Sequence, residues 1–383
     1  MIGYATYNYT IDWGDGSPIE AQSSYLSPSH TYANDGEYEI KIEGDFPGMT
    51  FGVHPLHGNS SIYASSAFAD NNDTAVQSMA KKIRSIKQWG KIKWRSMYSM
   101  FHHAENMVGE YTDSPDTSKV KSMERMFHGA KKFNSPLNID TRSVISMNGM
   151  LRAAESFNQP LNFDTQNVES MHMMFGSATS FNQPVNFNTS NVRDMYSMFG
   201  GATSFNQPIN FNTPKLYNVA NMFAGATSFN QPINFNTSSL QYIAEMFKNA
   251  TSFNSPVNIS DTSRVNYFSS MFEGATSFNQ PINFNTSNAT NFGNMFKNAT
   301  SFNQDISNLN FSVALKRGQY DDGMGDFASN SGLSIKNYDK ILKNWHDAVK
   351  NDPSITFHHK PSSAGLKYCT ATAEHDFLVG LGW

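Results

Sequence analysis

The chain has 383 residues, about two to three times the length of a typical domain, which predicts either one elongated array of repeats or two to three domains. Its formal net charge is -4 and only 16% of its residues are charged, which argues against a nucleic-acid binder, because such a protein needs a dense basic face. A single cysteine, Cys369, excludes an intrachain disulfide and a cysteine-rich metal cluster, and no apolar run is long enough to predict membrane insertion.

The pattern of residues 1–48 predicts a small β module. The segment TIDWGDGS leads a strand into a tight turn, and HTYANDGEYEIKIEG gives a second turn followed by apolar residues at alternate positions. Asp12 and Asp15 could be calcium ligands, because hard cations take carboxylate and backbone oxygens from Asp/Gly turns. Two carboxylates are too few to specify a site, so we favour a structural role for both in the turn.

Residues 49–96 are interpreted as a connector and N-terminal cap. The stretch from Lys81 to Arg95 carries seven basic residues interleaved with isoleucine and tryptophan. Its simplest interpretation is the solvated face of an amphipathic connector, and the alternative is a site for an anionic glycan or lipid.

Residues 97–311 are repetitive, with a period of 24 residues. The dipeptide Phe-Asn recurs in steps of 24 with one step of 25, and its phenylalanines are predicted to form a core ladder: Phe133, Phe157, Phe181, Phe205, Phe229, Phe253, Phe278 and Phe302. The extra residue lies near Ser260. A period between 20 and 29 residues is typical of leucine-rich-type solenoids, in which stacked units cover one another's apolar side chains.

Each unit combines two apolar periodicities. In the unit around residue 200, apolar residues over Val192–Ala202 step by 3, 4 and 3, which predicts a short helix with Thr189 near its N-cap. Ile209–Asn212 alternates apolar and polar residues, which predicts a short strand. The predicted fold is therefore an α/β repeat solenoid, leucine-rich-repeat-like, with a parallel sheet plus short helices.

Two further columns of the repeat, one apolar and one polar, are interpreted as structural. The methionines at 147, 171, 195 and 222 are interpreted as core, so no cofactor is predicted. The asparagines at 182, 206, 230 and 254 are expected to bond the backbone of the turns, unit after unit.

A third column predicts an interaction surface. If the strand's apolar residues point inward, asparagines on the opposite face form a regular, nearly uncharged ladder: Asn162, Asn186, Asn188, Asn210, Asn212, Asn234, Asn236, Asn283 and Asn285. This asparagine face either keeps the array soluble through mutual amide bonds or forms a platform for a repetitive partner, a polysaccharide or a protein. A regular Asn/Thr array also allows ice binding as a remote alternative.

Residues 312–383 are predicted to be a C-terminal cap. SGLSIKNYDKILKNWHDAV has the pattern of a helix with Leu333, Tyr338, Ile341, Leu342 and Trp345 on its apolar side. YCTATAEHDFLVGLGW is a second apolar piece. Terminal units of a solenoid need such covers over their open faces.

Nothing in the sequence predicts an enzyme. There is no G-x-S-x-G elbow and no phosphate-binding G-x-x-x-x-G-K loop. His102 with His103 and His358 with His359 are adjacent pairs, and neighbours on a helix point apart, so no shared metal is predicted.

The repeat MF-x-x-ATSFNQPINFNTSNV-x-x-M resembles the BspA-like leucine-rich-repeat family of bacterial surface proteins. IDWGDGS, HTY and GEYEIKI are similar to a PKD-type β-sandwich module. The resemblance implies an extracellular or particle-surface location, adhesion or recognition, and no catalytic activity. The family unit is often one residue longer and carries Trp where this chain has Phe or Ile, as at Phe211. The start MIGYATYNYT lacks the pattern of a secretory signal, and no anchor is visible.

Two functional hypotheses follow. The first is a non-enzymatic surface interaction or adhesion protein that binds a cell-surface glycan or protein through the solenoid face. The alternative is a structural decoration protein of a phage virion or cell surface, anchored to neighbouring structural proteins by its N-terminal module.

Overall fold

The computed structural model describes residues 7–23, 28–46, 48, 78–316, 323–352 and 365–381. Its strands are β1 (Asn8–Asp12), β2 (Glu20–Gln22), β3 (Lys41–Asp45), β4 (Ser85–Ile86), β5 (Val108–Gly109), β6 (Ile233–Phe235) and β7 (Val257–Ile259). Its helices are α1 (Ser312–Lys316), α2 (Ile335–Asn351) and α3 (Thr372–Gly380). Between β5 and β6 the chain consists of turns and single-residue bridges joined by extended segments.

The N-terminal module is a three-stranded antiparallel sheet in the order β2-β1-β3. Tyr9, Ile11 and Phe46 are buried, and the Phe46 ring packs edge-on against Trp94, with 6.0 Å between ring centroids. The module therefore rests on the connector that precedes the repeats. A sandwich needs a second sheet, and the described residues of this module form a single one, so the sandwich stays a prediction.

Successive repeat units lie side by side in parallel register. Single-residue bridges connect equivalent positions, which we call the bridge column: Ser122, Ser146, Ser170, Asp194, Asn218, Tyr242, Tyr267 and Asn291. The period of the sequence is thus the register of the stack. Phe253 and Phe278, on either side of the extra residue, remain stacked with centroids 5.7 Å apart, and Ser260 is exposed. The insertion is therefore absorbed at the surface.

The predicted short helix is wrong, because each unit contains successive turns instead. The N–H of Met198 donates to the carbonyl of Met195 (3.1 Å), whereas the N–H of Ser197 donates to Ala220 of the next unit (2.9 Å). Interior N–H groups of an α-helix all bond within the helix. Here alternate N–H groups face the neighbouring unit, so the apolar stripe over Val192–Ala202 belongs to turns.

Pairs of residues with positive φ, four positions apart, interrupt any helix in each unit. The described residues contain ten such pairs: Ser99/His103, Arg125/Gly129, Gly149/Ala153, Met173/Ser177, Ser197/Gly201, Asn221/Gly225, Glu245/Asn249, Ser270/Gly274, Asn294/Asn298 and Asp326/Asn330. The last pair lies in the segment predicted as a cap. There the N–H of Phe296 donates to the carbonyl of Phe327 (2.8 Å), so the stack continues beyond residue 311.

The predicted strand column is only partly paired. Over Ile209–Asn212 the odd positions are buried and the even ones exposed, as the alternation predicts. Backbone pairing of this column occurs in β6 and β7, where Ile233 lies opposite Val257 in a parallel pair. Elsewhere a side chain connects the units, since the Thr189 hydroxyl donates to the carbonyl of Asn212 (2.7 Å). Thr189 is thus an inter-unit link rather than an N-cap, and the leucine-rich-repeat class stays a prediction.

The Phe-Asn phenylalanines lie in the centre of the stack, and each of the eight is fully buried. The ring of Phe205 lies 5.9 Å from Phe181 and 6.0 Å from Phe229 between centroids, nearly parallel to both. Within its own unit it stacks on Phe199 at 4.0 Å. The methionines at 147, 171, 195 and 222 are also fully buried, so they pack the same core.

Asparagine side chains join the units along a second line. The Oδ1 of Asn182 accepts the backbone N–H of Asn206 (3.0 Å), and the Oδ1 of Asn206 accepts that of Asn230 (2.9 Å). The Oδ1 of Asn230 accepts the N–H of Asn254 in the same way (2.8 Å). This confirms that the column satisfies turn backbone groups, unit after unit.

Helix α2 lies at the end of this asparagine line. The Oδ1 of Asn303 accepts the N–H of Ser334 (2.8 Å), the residue that caps α2, and the Nδ2 group of Asn337 donates to the same oxygen (3.0 Å). The predicted apolar side of the helix is buried: Leu333, Tyr338, Ile341, Leu342 and Trp345. The cap is therefore both hydrogen-bonded and packed onto the last units.

We expect Asn206→Ala to lower the free energy of unfolding by about 1 kcal/mol, because the N–H of Asn230 loses its acceptor. Asn206→Asp keeps an acceptor oxygen at the same place and should cost less. Urea unfolding of the two variants measures the difference. Equal losses would show that the side-chain oxygen is not what stabilises the turn.

Candidate interaction surfaces

The nine asparagines of the asparagine face all point outward in the structure. Each is exposed, while the apolar residues between them, such as Ile209, Phe211 and Phe235, are buried. Over residues 195–244 the sequence carries a single charged side chain, Lys215. The asparagine face is therefore a regular, nearly neutral surface of amide donors and acceptors.

Some amides of this face bond one another, as one of the two sequence interpretations expects. The Nδ2 group of Asn236 donates to the Oδ1 of Asn212 (3.0 Å), and Asn258, which occupies the position of Asn234 in the next unit, donates to Asn234 in the same way (3.0 Å). The Oδ1 of Asn188 accepts the N–H of Ser190 (3.1 Å). These bonds fix the direction of the amides, so the face is ordered before any partner arrives.

The threonines beside this face do not take part in it. Thr189, Thr213 and Thr237 are fully buried, and the hydroxyls of Thr165 and Thr189 donate to carbonyls of the following unit (3.0 and 2.7 Å). These threonines therefore do not add to the asparagine face, and the ice-binding alternative stays a prediction.

The bridge column carries a second surface that the sequence interpretation missed. Ser146 and Ser170 are buried in this column, but Tyr242 and Tyr267 are 47% and 39% exposed. The ring of Tyr217 lies against Tyr242, with centroids 6.1 Å apart and the rings nearly perpendicular. Aligning the units by their period would have revealed these tyrosines, because most other units have serine, aspartate or asparagine in this column.

Three histidines cluster in the first repeat units, contrary to the expectation that neighbouring histidines point apart. The rings of His102 and His103 stack with centroids 4.1 Å apart, and His128 lies 4.5 Å from His102. The positive φ of His103 places this pair in a turn rather than a helix. His358 and His359 lie outside the described residues.

The histidine cluster is shielded from water. Burial, followed by the charges of His103, Arg125 and Arg152, lowers the pKa of His102 to about 3. Burial likewise lowers the pKa of His128 to about 2. Across the described parts of the chain, no three His, Cys, Asp or Glu side chains are arranged to hold a metal ion.

The two acidic residues considered for calcium stabilise their own turns. The Oδ1 of Asp12 accepts the N–H of Gly14 (2.9 Å), and the Oδ1 of Asp15 accepts that of Ser17 (3.0 Å). The other oxygen of Asp15 pairs with His30 at 2.7 Å. The hydrogen bonds from Ser17 and His30 hold the pKa of Asp15 well below its usual range. Their geometry thus matches the turn role.

The basic stretch from Lys81 to Arg95 is partly used within the chain. Lys81 pairs with Glu105 (3.2 Å), Lys87 with Glu110, and Arg84 lies 3.8 Å from Glu37 of the N-terminal module. The intervening Trp89 and Trp94 are buried. The arrangement matches an amphipathic connector with a solvated face.

Comparison with known proteins identifies the repeats. The family profile described as "Mycoplasma protein of unknown function, DUF285" matches residues 70–183, 95–209, 161–247, 185–265 and 233–330, which together span the repeat region. No curated protein and no solved structure matches the chain. In the described residues, every helix is too short or too polar to cross a bilayer.

Proposed function

Since this chain belongs to the DUF285 family, whose function is unknown, we propose its function from its own surfaces: it is a non-enzymatic interaction protein that binds a cell-surface glycan or protein through the asparagine face. The observation that carries this proposal is the exposure of all nine asparagines in one register.

The register suits a partner that is itself repetitive. Units joined by parallel bridges place equivalent amides roughly 4.8 Å apart along the stack, the spacing of neighbouring strands. Each amide carries two N–H donors and an oxygen acceptor, and the groups that are not bonded within the face match hydroxyl groups or peptide groups of a partner. Many weak hydrogen bonds then act together, because the second and later contacts are intramolecular.

The rigidity of the face favours binding. The amide bonds between Asn236 and Asn212 and between Asn258 and Asn234 hold side chains that would otherwise lose rotamer freedom when a partner binds. The buried phenylalanine ladder beneath holds the backbone in place. The resemblance to BspA-like surface proteins supports an extracellular or particle-surface location for such a function.

The test compares two triple variants in the same units. Asn162→Ala with Asn186→Ala and Asn210→Ala removes three amides of the asparagine face. Ser156→Ala with Ser180→Ala and Ser204→Ala changes three exposed serines of another column and serves as the matched control. We expect the asparagine variant to weaken binding about tenfold or more and the serine variant to leave it unchanged.

The measurement is retention of the full chain on a printed glycan array and on intact cultured cells. Urea unfolding of each variant tests whether the stack of repeat units is retained. Equal binding by the two triple variants, or no binding by the unchanged chain to either glycans or cells, would contradict the proposal.

A further inference from the structure

The tyrosines of the bridge column form a second exposed feature, separate from the asparagine face. Tyr242 and Tyr267 occupy bridged positions on consecutive units, and Tyr217 packs its ring against Tyr242. Exposed aromatic side chains thus occupy equivalent positions on adjacent units, and clusters of exposed apolar groups commonly mark binding sites. Isolated exposed tyrosines would need no such explanation.

The positions two residues after the bridge column carry small side chains in the units of these tyrosines. In the earlier units it holds larger side chains that bond across units, as where the Oδ1 of Asn148 accepts from Ser170 and where His172 pairs with Asp194 (3.4 Å). From the unit of Asn218 onward it holds only small side chains: Ala220, Ala244, Ser269 and Gly293. Tyr242 and Tyr267 are therefore followed two residues later by small side chains rather than by bulky ones.

The polar side chains beside Tyr242 and Tyr267 are amides, and the exposed Arg193 lies one unit before Tyr217 in the column that precedes the bridge column. Gln241 and Asn266 directly precede the two tyrosines and are exposed, and Asn218 and Asn291 occupy the bridge column on either side of them. No charged residue occupies the bridge column from Asn218 to Asn291. The surface beside Tyr242 and Tyr267 thus combines aromatic faces with neutral hydrogen-bonding groups.

We propose that Tyr217, Tyr242 and Tyr267 form a stacking platform for the sugar rings of a neutral glycan. A pyranose ring has an apolar face of C–H groups that packs on an aromatic face, and hydroxyl groups around its rim that bond amides. Rings on consecutive units suit a chain of sugars lying along the stack. The bridge-column positions on either side of Tyr242 and Tyr267 are uncharged, which favours a neutral partner there over a phosphate-bearing or sulfated one.

This inference rests on the proposed function only in treating the chain as an interaction protein, because it uses a different surface. It commits to a glycan, whereas the asparagine face is proposed for a glycan or a protein. The two can therefore fail independently.

The experiment uses the full chain and a printed array of neutral and charged glycans. Tyr242→Ala with Tyr267→Ala removes both exposed rings, and Tyr242→Phe with Tyr267→Phe keeps the rings but removes the hydroxyls. We expect the unchanged chain to be retained by neutral glycans, the alanine variant to lose about tenfold or more in affinity, and the phenylalanine variant to stay within about threefold. The exposed positions leave the core intact, which an unchanged urea midpoint would verify.

Three outcomes would overturn the inference. Full binding by the alanine variant would show that the rings do not contact the glycan. Retention on charged glycans alone would show the wrong ligand class. Retention on cells with no glycan bound by the array would also overturn it, while leaving the proposed function of the asparagine face standing.

Discussion

Phe205→Ala is expected to lower the free energy of unfolding by about 3 to 5 kcal/mol. Phe205 is fully buried, and its ring lies within about 6 Å of Phe181, Phe229 and Phe199 in two neighbouring units and its own. Alanine would leave a cavity that these rings cannot fill, since each is held by its own stacking partners. The cost is therefore that of a large core truncation rather than of a local adjustment.

The measurement is urea unfolding followed by circular dichroism, with Phe377→Ala as the matched control. Phe377 lies on α3 and is 41% exposed, so the same substitution there should cost much less. A loss below about 1 kcal/mol for Phe205→Ala, or equal losses for the two variants, would show that the Phe-Asn ladder does not carry the core.

The second large effect concerns acid. The stack is expected to lose stability as the pH falls from about 6.5, because His102 and His128 are buried without charge in the folded state. Their lowered pKa values, about 3 and about 2, keep them neutral in the fold while an unfolded histidine binds a proton near pH 6.5. Acid therefore favours the unfolded chain.

The size of the effect follows from the proton count. Each histidine contributes a slope of about 1.4 kcal/mol per pH unit below its unfolded pKa, or about 2 kcal/mol at pH 5. Carboxylates act in the same direction but at lower pH. The hydrogen bonds of Asp305 with Lys340 and Ser307 lower its pKa to about 2, so its contribution is lost only below the ordinary value of 3.8. The window from pH 6.5 to 4.5 therefore isolates the histidines.

The histidine variants test this assignment. Urea unfolding at several pH values in that window should show a slope smaller by about one proton for His102→Gln or His128→Gln, and by about two for the double variant. The slope is the readout, because glutamine also changes packing and shifts the absolute stability. An unchanged slope in the double variant would show that these two histidines are not the acid-sensitive groups.

The period and the core were predictable because they depend on large apolar side chains at fixed spacing. Phe205 and Met198 recur 24 residues before and after themselves, and both are fully buried in the structure. The asparagine line through Asn206 was predictable for a similar reason, since a short amide beside a turn usually bonds nearby backbone.

The turns were not predictable from the same pattern. An apolar stripe with steps of 3, 4 and 3 fits a helix and a series of tight turns equally well. The distinguishing feature is the left-handed backbone at residues such as Met173 and Glu245, where side chains ordinarily disfavour positive φ. Bonds to the neighbouring unit stabilise that conformation, and a single unit read alone does not reveal them.

The exposed tyrosines were overlooked for a different reason. The consensus of a repeat emphasises what the units share, whereas Tyr242 and Tyr267 are departures confined to two neighbouring units. In a stack, a departure from the consensus that reaches the surface is the place where one unit can differ from another without disturbing the core. Surface residues that determine specificity are therefore better sought among departures from the repeat consensus than among the residues that the units share.

The hydrogen bonds of the asparagine line all point in the same direction along the stack. The oxygen of each asparagine belongs to the earlier unit and the N–H it accepts to the later one, as between Asn182 and Asn206. A ribosome delivers the earlier unit first, so each newly made segment meets a waiting acceptor. Synthesis can thus template the array one coil at a time, and the N–H of Ser334 ends the process at Asn303. A chain truncated before that point would leave the Asn303 oxygen without the Ser334 N–H and the apolar side of the last unit uncovered.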